Sequence, residues 1–333
     1  MSVLLASTTF VEATWILIVK SIVIFAVIFA IVPMLTVLER KLLGRFQARY
    51  GPNRVGPLGL LQPLADAIKL ISKEHYRPRA AIPALYYIAP SIVVFTGVAT
   101  LAIIPFGNVQ DGFGLYGIDV PIGILYFFAF GSIAFYGLLL GGWASGSKYS
   151  YLGAMRAAAQ LISYEISMGL ALLGAIMMAG SLSLVSIVEA QNQIWYVIPQ
   201  FVGFLIFLVA GFAETNRAPF DLPEADAELV AGYGTEYGGM RYGSYALAEY
   251  IEMFVISAVA VTFFLGGWRG PGPGFLDPIW VVVKIFGFLF IFMWIRATLP
   301  RVRYDQLMSL GWKILLPLAT LNVLVTAILV TVT

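Results

Sequence analysis

Cysteine is absent from this 333-residue sequence, and histidine occurs once, at His75. Those two gaps exclude a good deal of chemistry. Iron–sulfur clusters are held mainly by thiolates, a bis-histidine haem needs a second imidazole, and Cys- or His-rich zinc sites need several such ligands. Nucleophilic catalysis by a Cys–His pair is ruled out. Any electron that reaches this chain must come from a partner. The lack of cysteine leaves no disulfide pattern from which to read a redox compartment. Charge is scarce too: 11% of residues are charged and 60% hydrophobic, where a soluble domain carries about 25% charged residues. This balance is that of a membrane protein, and it overrides the two-domain expectation that length alone suggests. The net charge of +2 is too small to argue for nucleic acid as a partner.

Long apolar runs are what the sequence has instead. A bilayer core of about 30 Å needs about 20 apolar residues in a helix. Eight stretches qualify: Trp15–Leu38, Pro83–Ile104, Val120–Gly141, Ala157–Gly180, Trp195–Ala213, Ala248–Gly267, Pro278–Leu299 and Leu310–Val332. The expected fold is an all-α polytopic membrane protein, one integral domain over 1–333. The N-terminal segment has no basic region and no small-residue cleavage site, and reads as the lead-in to a retained helix. No period of 20 to 50 residues repeats.

Basic residues alternate between connections. The first, Glu39 to Ile82, holds nine, from Arg40 to Arg79; the third has Lys148 and Arg156, the fifth Arg217 and Arg241, and the seventh region four more, while Arg269 stands alone in the even-numbered ones. Cytoplasmic loops are enriched in Lys and Arg. The odd-numbered connections (about 39–82, 142–156, 214–247 and 300–309) are therefore expected in the cytoplasm, with both termini on the other side.

In the first connection, Leu61, Leu64, Ala65, Ile68 and Ile71 recur at helical spacing, with Asp66, Lys69 and Lys73 opposite. At about 15 residues this helix is too short and too charged to span, and it is expected to lie on the membrane surface with its apolar face down. It could cover the mouth of the bundle or gate a ligand. Before it, Gly51-Pro52-Asn53 and Gly56-Pro57 mark turns.

Acidic groups cluster in one place. Of 18 acidic residues in the chain, Glu214, Asp221, Glu224, Asp226, Glu228 and Glu236 fall between Gly211 and Gly239. A short helix from Pro223, with acids in its first turns, is expected there; Phe220, Tyr233 and Tyr237 argue against a disordered linker. Ionisable groups at membrane depth usually face the bundle interior or a hydrated cavity. Glu165 lies near the middle of the fourth span. Glu249 and Glu252 share a face of the sixth at i, i+3 spacing. Glu165, Glu214 and Glu249 come from three different helices and form a hydrated acidic path if those helices converge. Two classes of function fit: an ion or solute transporter with an acidic vestibule, or the membrane anchor of a redox machine that binds a lipid-soluble substrate.

Specific strings separate the two. "VLERKLLGRFQARYGPNRVGPLGLLQPLADAIKLISKE" (Val37–Glu74) and "AETNRAPFDLPEADAELVAGYGTEYGGM" (Ala213–Met240) closely resemble the family of membrane quinone-chamber subunits, the H subunits, of proton-pumping NADH:quinone oxidoreductase, respiratory complex I. "SYEISMGL" and "LAEYIEM" are similar to that family's fourth- and sixth-helix strings, and the resemblance covers essentially the whole chain. It implies eight spans plus a surface helix after the first, in a bacterial-type cytoplasmic (inner) membrane. It implies a foot on which the hydrophilic arm docks beside neighbouring membrane-arm subunits, with quinone as the substrate. FMN and iron–sulfur clusters would lie in partner subunits, and no cofactor or metal in this chain. By resemblance Arg40, Asp66, Ala67, Arg217 and Phe220 line the quinone passage and Glu39 supports that lining. Glu165, Glu214, Glu228 and Glu249 match a glutamate-rich coupling route, with Asp221, Glu224 and Glu252 as accessory acids. Ser167 stands where the family commonly has proline, Gly234 where asparagine is common, and Glu252 where a neutral residue is usual. Membrane subunits of related hydrogenases and formate hydrogenlyases share the ancestry and form the runner-up reading.

Overall fold

The computed structural model describes residues 14–107, 114–224 and 226–332, with side chains throughout except at 14–17, 226–227 and 275. Most of the expected N-terminal lead-in lies outside the described residues. The described chain is helical, without a strand; one isolated bridge joins Gly107 to Leu115.

The helices are, in order, α1 (Thr14–Phe46), α2 (Gln62–Ser72), α3 (Pro83–Leu101), α4 (Gly123–Ala144), α5 (Lys148–Ala179), α6 (Leu184–Ala190), α7 (Phe201–Glu214), α8 (Asp226–Leu229), α9 (Met240–Phe264), α10 (Asp277–Thr298), α11 (Tyr304–Ser309) and α12 (Leu316–Val332). A single π-helical turn, Leu310–Leu315, joins the last two. Pro317 has no N–H to give the Lys313 carbonyl, so the helix widens there rather than breaking. Seven described helical spans are long and apolar enough to cross a membrane, and α7 is a shorter apolar helix. The chain is a multi-pass membrane protein.

Three boundaries differ from the sequence reading. First, α1 runs to Phe46 over 33 residues, so Glu39 and Arg40 sit on a helix and not in a loop. Nothing between Leu38 and Phe46 stops the helix, because Arg40, Lys41 and Arg45 are good helix formers. Second, the connection between α4 and α5 shrinks to Ser145–Ser147, turned by Gly146 at φ 73°. A Cβ there would meet the Ala80 carbonyl at 2.7 Å. Third, the fifth span is only 14 residues long. Pro199 disfavours helical backbone at Ile198. The preceding chain is held instead by Val197 N–H to Phe264 O (2.8 Å) and by Gln200, whose Nε2 donates to Thr326 Oγ1 at 2.8 Å.

At about 1.5 Å per residue α7 covers roughly 21 Å, well short of a bilayer core. Its last residue, Glu214, and the three that follow, Thr215 to Arg217, are all buried in the bundle. Gln160, near the middle of α5, donates from Nε2 to Ala213 O (2.7 Å) and Phe220 O (2.9 Å), fastening both sides of that segment. Non-helical backbone is tolerated at this depth where protein buries it. Further along, Tyr233 and Tyr237 pack with Tyr86 and Tyr245: the Tyr237 ring stacks on Tyr86 at 4.4 Å, and its hydroxyl donates to Gly141 O at 3.0 Å. Burial pushes the Tyr237 phenol up to about 12. The helix expected from Pro223 is confined to α8. Gly232 (φ 50°) doubles the chain back so closely that a Cβ on it would meet the Pro223 carbonyl. α9 runs through the middle of the bundle, buried on all sides from Met253 to Phe264, as its uniformly apolar second half requires.

Candidate functional site

The strongest concentration of buried charge lies where α1, residues 215–224, α9 and α10 meet. Arg217 and Glu39 are both buried, at 8% and 2% exposure. Arg217 Nη1 donates to Glu39 Oε2 at 2.7 Å, and Arg296 from the end of α10 pairs with the other oxygen, Oε1. Arg217 Nη2 stands 3.8 Å from Glu249 Oε2, and the guanidinium lies 4.0 Å over the Tyr250 ring. Glu249 Oε1 in turn accepts from the Tyr233 hydroxyl at 2.9 Å. Asp221 and Glu224 are close enough to act electrostatically on Glu249 and Tyr233 respectively. Buried charges persist only when paired, and this cluster alternates sign: Arg296, Glu39, Arg217, Glu249.

From Glu249 a row of carboxyls leads away through the bundle. Glu252 follows one turn along α9, Glu214 closes α7, and Glu165 projects from α5, each within electrostatic reach of the next. Glu165 accepts from Ser132 Oγ of α4 at 2.6 Å. The helices thus bring together Glu165, Glu214, Glu249 and Glu252. Glu228 does not join them. It is half exposed on α8 and paired with Arg156 of α5, and that hydrogen bond holds its carboxyl below the usual range.

At the end of α1, Arg40 Nη1 donates to Asp66 Oδ2 at 2.7 Å, and Gln62 Nε2 donates to Asp66 Oδ1 at 3.0 Å. Partial burial raises the Asp66 carboxyl, but these hydrogen bonds outweigh it and set it below its ordinary value. This clamp fastens α2 to the extension of α1. Ala67 is half-buried beside it. Leu61, Leu64, Ile68 and Ile71 are all between 49% and 61% exposed, leaving the apolar face of α2 bare. Phe220 is turned inward, its ring 6.2 Å from that of Tyr164.

Arg296, Tyr233, Tyr250, Ser132 and Gln160 belong to this arrangement and were missed by sequence reasoning. Arg296 counted only as loop charge, Tyr233 only as an aromatic residue against disorder, and adjacency to Glu249 was the only available signal for Tyr250. At the other end of the bundle Lys284 Nζ donates to the carbonyls of Leu265, Gly267 and Arg269 at 2.6 to 2.9 Å, a staple with no part in the row.

The family model described as NADH dehydrogenase matches residues 19–327. Among curated proteins, the chain is 53% identical to the second of the NADH-quinone oxidoreductase H subunits of Geobacter sulfurreducens, covering 92% of this chain and 94% of that protein. It is 52% identical to the first of the corresponding H subunits of Geobacter metallireducens over the same shares, and 50% identical to the H subunit of Protochlamydia amoebophila over 88% and 91%.

Proposed function

This chain belongs to the NADH dehydrogenase family, and on that premise we propose that it is the membrane subunit of an NADH-quinone oxidoreductase that forms the quinone chamber with the hydrophilic arm and couples quinone reduction to proton translocation. The relatives' shared name supports the substrate, and the absence of thiolates accords with FMN and iron–sulfur clusters held in partner subunits. The observation that carries the coupling is the continuity of the buried ion cluster with the carboxyl row. Arg217, on a segment inside the bundle, touches Glu39 on one side and Glu249 on the other.

Forming quinol takes up two protons. When that charge leaves the chamber, the balance around Arg217 changes. Glu249 feels the change first, and Glu252, Glu214 and Glu165 follow because interacting carboxyls titrate as a set. Arg40 and Asp66 tie the surface helix to α1, so α2 forms one wall of the entry. The basic residues of the first connection argue for the cytoplasmic side, where the hydrophilic arm docks. The membrane is then the cytoplasmic (inner) membrane of a bacterial-type cell, with both termini on the far side.

The test uses the native complex, purified from membranes with its partners identified by mass. NADH:quinone activity should respond to a quinone-site inhibitor. A photoreactive quinone analogue should label residues 40–67 of this chain, in competition with that inhibitor. Labelling confined to other subunits would remove the chamber from this chain.

A further inference from the structure

Glu252 takes no part in the Arg217 cluster. It lines a cavity of about 40 Å³ among α3, α4, α7 and α9, together with Glu214, Thr96 and Thr100; the rest of the lining is apolar, including Phe127 and Phe130. One water needs roughly 10–15 Å³ of such space, so the cavity has room for a few. Glu214 is 6% exposed, and its Oε2 has no hydrogen-bond partner in the protein. Among the described residues neither Glu214 nor Glu252 is paired with a cation; Arg217 pairs with Glu39 and Glu249, and Arg296 with Glu39. The other titratable groups acting on the pair are acidic too, Glu249 from α9 and Glu165 from α5. α3 and α4 contribute threonines and apolar residues. The hydroxyls of Thr96 and Thr100 already donate to the carbonyls of Val93 and Gly97, which leaves their oxygens as acceptors toward the cavity.

A polar atom buried without a partner is costly, and two carboxylates sharing one small cavity cannot both stay charged without a cation. Water and a proton supply what the protein atoms lack. We infer that Glu214 and Glu252 form a proton-binding pair, holding one proton between them across water in this cavity, with Thr96 and Thr100 accepting from that water. The inference rests on the acidic-route reading and adds a site to it: Glu252 relays between the Arg217 cluster and Glu214. No bond other than O–H forms or breaks; the proton enters from one neighbouring carboxyl or water and leaves to another.

Infrared difference spectroscopy on the assembled complex tests this directly. The wild-type enzyme should show a protonated-carboxyl C=O band that shifts in D2O. Glu252→Gln and Glu214→Gln should each move that band, because each removes one partner of the shared proton, and the double variant should lose it. A band left at its wild-type position by either single substitution, or retained in the double variant, overturns the pair. If Glu214→Gln fails to assemble, Glu252→Gln alone decides, since an unmoved band there already refutes sharing. Proton pumping in the same variants keeps the two readings apart. A moved band with full pumping sinks the acidic route while leaving the pair intact. An unmoved band with lost pumping does the reverse.

Discussion

Arg217 is a cation held between two carboxylates, and its removal should be felt as charge before it is felt as lost packing. Arg217→Met leaves Glu39 and Glu249 buried with their central partner gone, and breaking a buried pair in this way costs about 3–5 kcal/mol. The expected outcome is a sharp fall in assembled complex and in its thermal midpoint. The double variant Arg217→Met/Glu39→Gln should recover part of the loss, because it removes one of the stranded charges. Equal losses in both variants would mean that the ion pair is not what holds this corner. Resemblance to a known family nominated Arg217 and Glu39 from the sequence. Their contact spans 178 positions, and no local pattern announces it. Glu252 shows the converse: i, i+3 spacing with Glu249 was legible, whereas the cavity it lines depends on α3 and α4 packing against α9.

Among the elements, α7 departs most from what its composition suggests. Hydropathy found the apolar stretch correctly but overstated its helical length, because a window average does not register what Pro199 does to the backbone before it. The segment that follows depends on Gln160. Gln160→Leu would leave the Ala213 and Phe220 carbonyls only backbone donors, among them the N–H groups of Asn216 and Leu222, a loss of about 0.5–1.5 kcal/mol for each hydrogen bond removed. The expected outcome is faster amide hydrogen exchange over 215–222 in the assembled complex, with the α9 core unchanged. Unaltered exchange would show that the Tyr164–Phe220 packing suffices by itself. The surface helix was the more legible element, since its apolar period was plain. Its salt bridge to Arg40 was not, because the sequence read Arg40 as part of a loop.

For the whole molecule, the proposed orientation rests on the distribution of basic residues, and the cysteine-free sequence makes it easy to check. A cysteine at Lys73, in the first connection, should react with an impermeant thiol reagent only from the cytoplasmic side in oriented vesicles. One at Gly272, in the sixth connection, should react only from the opposite side. Reversed labelling would invert the topology and move the ion cluster away from the side where the arm is proposed to dock. The order of the apolar helices was readable because burial in lipid demands long apolar runs. The burial of Thr215, Asn216 and Arg217 was not, because charged residues read as a surface loop until their partners are known. The short α7 also has an electrical meaning. If water reaches the inferred Glu214–Glu252 pair, the membrane voltage drops across the remaining apolar part of the bundle instead of across the whole core of about 30 Å, so the local field is steeper there. One elementary charge crossing 100 mV exchanges about 2.3 kcal/mol, and a proton resting on Glu214 would meet most of that drop still ahead of it, in the half of the bundle that α7 seals.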